Sequence, residues 1–196
     1  MNAVTRIQLK NGVERVLHVP GNYTTGQILE MALVLDYHMP EPELRERCAQ
    51  LVDLLKLSSE VFRNVRLNVI KWIDDDHIVK EVGSLPQVRM GRVFDDYGAY
   101  GMGSGPGVRE EKSFAELARQ LKLFYARSKL ILVLTDGSFA PGDMAELKAG
   151  MHPFLHRKLL IWQGDKVCSG TEWMRQEEKN GHTGNTAEHH CGDAEA

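Results

Sequence analysis

Leu130-Ile-Leu-Val-Leu-Thr-Asp-Gly137 is the stretch from which the fold can be read. Its five consecutive aliphatic residues do not alternate with polar ones, as they would in a strand with one face in water. An unbroken apolar run that stops at turn residues fits a central parallel strand covered by helices on both faces. Met31-Ala-Leu-Val-Leu-Asp36 repeats the pattern and also ends on an acid, so a first strand of this kind is expected over residues 28–35.

Between and around these runs the signals alternate. Pro40-Glu-Pro-Glu43 suits the first turn of a helix. Leu44, Cys48, Leu51, Val52 and Leu55 then fall at helical spacing, predicting one helix of about twenty residues. Residues 65–73 are β-branched and aromatic, and Asp74-Asp-Asp76 makes a polar turn into a returning antiparallel strand over 77–82. Residues 83–112 hold seven glycines and little periodicity, which reads as a long mobile loop. Ser113-Phe-Ala-Glu116 is a capping box that opens a helix carrying Phe114, Leu117, Leu121, Phe124 and Tyr125. A short helix over about 141–151 and a strand over 157–162 follow. Upstream, Asn11-Gly12 between two β-rich runs predicts a hairpin, because a type I′ turn needs positive φ at both central residues.

This order predicts an α/β, Rossmann-like architecture: a doubly wound, mainly parallel sheet with helices on both faces, one antiparallel edge strand and an N-terminal β-hairpin. Residues 1–27 form the hairpin extension, 28–165 the α/β domain and 166–196 an acidic, largely disordered tail, within which 172–178 can extend a last helix. The tail carries three basic and six acidic residues, which accounts for the whole net charge of -3. A domain with no basic excess is not expected to grip nucleic acid. The longest apolar runs are far short of the ~20 residues a membrane span needs. The first twenty residues carry Arg6, Lys10, Glu14 and Arg15 and no signal-peptide pattern. Cys48, Cys168 and Cys191 at unrelated spacings fit a reducing compartment, so a cytoplasmic location is expected.

In open sheets of this kind ligands sit beyond the carboxyl ends of the strands, where strand order reverses. Asp36 and Asp136 end the two buried strands. If those strands are neighbours, the carboxylates face each other, and two close acids hold a cation or share a proton.

An apolar strand ending at Asp36, a helix, a β-hairpin over 65–82, and a second apolar strand ending at Asp136-Gly137 together resemble the von Willebrand factor A domain over about residues 28–165. The resemblance implies a doubly wound sheet with one antiparallel edge strand. It also implies a metal-ion-dependent adhesion site, where Mg²⁺ or Mn²⁺ is completed by a partner's acidic side chain. Of that family's Asp-x-Ser-x-Ser motif, Asp36 is present while His38 and Pro40 replace both serines. The family's loop threonine has no counterpart, since residues 83–112 contain none, and the Asp-Gly motif is matched by Asp136-Gly137. The site is therefore degenerate. Asp36 and Asp136, with His38 and Ser138 nearby, are the candidates for holding Mg²⁺ or another divalent cation; the nitrogen of His38 would favour a transition metal.

No catalytic or cofactor-binding constellation is complete. Gly101-Met-Gly-Ser-Gly-Pro-Gly107 lacks the Gly-Lys-Ser/Thr ending of a phosphate loop. A non-enzymatic interaction module is expected, binding a protein partner through Asp36, His38, Glu41, Asp136 and Ser138. The resemblance adds that intracellular members of the family often work in assemblies with ATPases. The alternative is a metal-dependent hydrolase using Asp36, His38 and Asp136.

Overall fold

The structure, a computed structural model, describes residues 3–8, 14–19, 28–57, 64–100, 112–155, 159–164 and 166–183. Ala3–Gln8 (β1) and Glu14–Val19 (β2) pair antiparallel. The Asn11-Gly12 turn expected between them lies outside the described residues.

A six-stranded mixed sheet organises the rest. Its strands are Leu29–Asp36 (β3), Val65–Trp72 (β4), Ile78–Gly83 (β5), Leu130–Thr135 (β6), Leu159–Gln163 (β7) and Lys166–Ser169 (β8), in the order β5-β4-β3-β6-β7-β8. β3 is parallel to both β4 and β6, and β6 is parallel to β7. β5 and β8 close the two edges antiparallel. One antiparallel edge strand was expected, and among the described residues there are two. β8 escapes a hydrophobic-pattern reading because it is only four residues long and only Cys168 within it is buried.

The two continuously apolar runs lie at the centre, where neither face meets water: Met31 to Leu35 and all of β6 are buried. Alternation along β3 sends Met31, Leu33 and Leu35 to one face and Ala32 and Val34 to the other. The first face packs Glu41–Leu57 (α1) through Leu44, Cys48, Leu51, Val52 and Leu55. Burial pushes the Cys48 thiol up to about 12, so it sits there as a small apolar group. The second face packs Phe114–Tyr125 (α4), Met144–Met151 (α5) and Gly170–Thr183 (α6).

Two expectations need correction. The stretch after Gly83 is not simply a mobile loop. Leu85–Arg89 (α2), a 3-10 turn over Arg92–Phe94 and Tyr97–Tyr100 (α3) follow β5, and Val88, Val93 and Phe94 are buried against the α1 face. Only residues 101–111 of that stretch lie outside the described residues. The domain also does not end at 165: β8 and α6 carry Cys168, Trp173 and Met174 into the second face. Cys168 is disulfide-bonded, against the expectation that the cysteines are reduced, while Cys48 is free. Among the described residues no helix is long and apolar enough to cross a membrane.

Candidate functional site

Strand order reverses between β3, whose chain continues outward to β4, and β6, whose chain continues the other way to β7. A crevice at the carboxyl ends of adjacent parallel strands is expected there, and it is where Asp36 lies. Register decides its neighbours. Leu35 pairs with Leu134, so the next position on β6 opposite Asp36 is Thr135, not Asp136. Both Asp36 and Thr135 follow the parity of the α4 face and both are fully buried. The Thr135 hydroxyl donates to Asp36 Oδ2 at 2.5 Å. The backbone N–H of His38 donates to Asp36 Oδ1 at 2.9 Å, turning the chain out of the strand.

The third partner comes from outside both strands. Lys112 stands immediately before the Ser113 N-cap of α4, and its Nζ is salt-bridged to Asp36 Oδ1. The same ammonium donates to the carbonyl of Trp72 at 2.8 Å and lies 4.2 Å from the centre of the Trp72 ring. The side chains of Lys112 and Asp36 are 1% and 0% exposed. Burial pulls the Lys112 ammonium below the ordinary lysine range, and the touching Asp36 carboxylate opposes that pull. Lys112 is held in place by its neighbours: Ala140 N–H donates to the Lys112 carbonyl at 2.9 Å, and Asp75 accepts from both the N–H and the hydroxyl of Ser113 at 2.8 Å. Two of the three hairpin acids are thus structural, with Asp75 anchoring α4 and Asp74 accepting from the N–H groups of Asp76 and His77.

Asp136 is one residue past the register and therefore projects elsewhere. It is exposed, and its Oδ1 accepts from Ser138 N–H at 2.8 Å. Gly137 has φ +85°, and a Cβ there would sit 2.1 Å from Gln163 Nε2, so the turn requires glycine. The structure brings Asp36 together with Thr135 and Lys112, and does not bring Asp36, His38 and Asp136 into one ligand set. Among the described residues no group of three or more His, Cys, Asp and Glu is placed to hold a metal ion. His38 is half-buried, Ser138 exposed, and Glu41 engaged with Arg45 at 2.6 Å.

On the other face the 84–100 segment is tied to the same strand ends. Tyr37, next after Asp36, points the opposite way, and its hydroxyl is 3.2 Å from both the Val93 carbonyl and Asp96 Oδ1. Burial, with Asp96 beside it, pushes that hydroxyl up, so it stays a proton donor. Lys71 Nζ meets Asp96 at 2.8 Å and Glu81 at 3.1 Å; burial works against its charge, but these carboxylates hold the ammonium above the usual lysine range. Tyr97 donates to the Met39 carbonyl at 2.6 Å. Tyr37→Phe is expected to cost about 1–1.5 kcal/mol and to raise amide hydrogen exchange selectively over residues 92–97. Exchange unchanged there would mean that the segment is held by its apolar contacts alone.

Thr135 and Lys112 escaped the sequence reading. The signal for Thr135 was the equal length of the two apolar runs, which aligns Asp36 with Thr135 once the strands are neighbours. The signal for Lys112 was a cationic residue placed directly before an N-cap at the sheet's carboxyl edge. No family model matches the chain and no curated protein matches it.

Proposed function

We propose that the chain is a von Willebrand factor A-like, doubly wound module with an N-terminal hairpin, which binds a protein partner through the loops at the carboxyl ends of its central strands and carries out no chemistry of its own. The observation that carries this is the condition of Asp36. Its two oxygens are committed to Lys112, Thr135 and the His38 N–H, and it is 0% exposed. A nucleophile or general base must reach a substrate atom, and Asp36 as placed reaches none. Nor can it touch a partner, so the recognition surface is the exposed rim around it. Asp76, Asp136, Ser138 and Asp143 are exposed there. The three carboxylates suit a partner presenting basic side chains, whose encounter they would speed at low salt.

A photo-crosslinking amino acid placed in turn at His38, Asp136 and Ser138 tests this, with Leu123, exposed on α4 away from that edge, as the control position. The same polypeptide is expected in the adducts from all three rim sites, and Asp76→Lys with Asp136→Lys is expected to remove it. Adducts arising equally from position 123, or unaffected by the double charge reversal, would count against the rim.

A further inference from the structure

We infer that the ammonium of Lys112 is a tethered cation at the switch point, seated beside oxygens that would otherwise bind a divalent metal ion, so that the native chain is closed to metal there and becomes open when this side chain is cut back. Two oxygens of different kinds meet the ammonium, Asp36 Oδ1 and the Trp72 carbonyl at 2.8 Å, and the Thr135 hydroxyl sits on the other oxygen of the same carboxylate at 2.5 Å while accepting from Gly137 N–H at 2.9 Å. Carboxylate, carbonyl and hydroxyl are hard donors of the type that Mg²⁺ and Mn²⁺ take. The carboxylates of Asp136 and Asp74 also act on the ammonium electrostatically. A cation is therefore wanted at this place, and the chain provides it.

The ammonium fits the role. Its donors meet Asp36 and the Trp72 carbonyl, and the face of the Trp72 ring covers it. Being covalently attached, it competes against dissolved ions at a high effective concentration. At 1% side-chain exposure it cannot be shared with a partner's carboxylate. This inference follows from the geometry alone and does not depend on the rim being a partner surface, and its test involves no partner.

Loss of the free Mn²⁺ signal in electron paramagnetic resonance reads out binding on the full chain, alongside thermal unfolding in EDTA, MgCl₂ or MnCl₂. Four chains are compared: the native sequence, Lys112→Ala, Lys112→Ser, and Lys112→Ala combined with Asp36→Asn. The combined variant keeps every other potential ligand, including the histidines after residue 181, and sets the background. Lys112→Ala or Lys112→Ser is expected to take up one additional Mn²⁺ over that background and to gain roughly 5 °C in unfolding temperature on adding the metal. The native chain should match the background, with an unfolding temperature that does not respond. Native protein taking up the additional ion would overturn the proposal. So would Lys112→Ala and Lys112→Ser both remaining at background, or both being unfolded whether or not metal is present.

Discussion

Replacing Trp173 by alanine is expected to lower the stability of the domain by about 3–5 kcal/mol, the usual cost of deleting a large buried aromatic side chain. Trp173 is 0% exposed, with its ring 4.4 Å from that of Phe114 and 6.0 Å from that of Phe139. Phe114 in turn meets Trp72 at 6.0 Å, edge to face. The aromatic cluster therefore runs from α6 to the strand that supplies Lys112 with its carbonyl. Two further contacts seat the helix. Thr171 donates to the Leu155 carbonyl at 2.6 Å, and Ser169 and Glu172 cap it reciprocally, with Ser169 N–H donating to Glu172 Oε2 at 2.7 Å and Glu172 N–H to Ser169 Oγ at 3.2 Å. Denaturant unfolding followed by far-ultraviolet circular dichroism should show the midpoint fall with the slope unchanged. Deleting residues 166–196, which removes β8 along with α6, should leave a chain without a cooperative transition. A truncated chain that unfolds as sharply as the full one would show that the second face is complete without α6.

That prediction falls where sequence reading was weakest. The central strands were legible because burial on both faces leaves an unbroken apolar run, and α1 because its apolar residues recur at helical spacing. The C-terminal elements carry neither mark. α6 buries Trp173 and Met174 near its start and is otherwise polar, and β8 is short. Its start was nonetheless written in Ser169-Gly-Thr-Glu172, the same S-x-x-E pattern that marked α4. Of the two boxes it is the better formed: Ser113 accepts from Glu116 N–H, but the Glu116 carboxylate turns to Arg119 and Gln120. Glycines misled in the opposite direction. Gly91, at φ +71°, is a tight junction between α2 and the following 3-10 turn, its carbonyl held by Arg45 at 3.0 Å. Counting glycines counts turns, and turns can be packed.

The site was legible to within one residue. Asp36 lies at the strand end that the pattern indicated, but side chains of a strand alternate with a period of two, so a one-residue offset decides whether its neighbour is Asp136 or Thr135. That offset separates the two acids energetically as well. Asp36→Ala is expected to destabilise the fold by about 3–5 kcal/mol, because it leaves the Lys112 ammonium buried without its counter-charge. It also removes the acceptor of the Thr135 hydroxyl and the His38 N–H. Asp136→Ala loses one exposed hydrogen bond, to Ser138 N–H at 2.8 Å, and should stay within about 0.5–1 kcal/mol of the native chain. Urea midpoints of the two variants measured side by side check this, and equal midpoints would mean that the buried pair contributes nothing net. The asymmetry also governs any binding experiment at this edge. Loss of a partner on Asp36→Ala would follow from loss of the fold, whereas loss on Asp136→Ala would report the surface itself, so Asp136 is where recognition has to be probed.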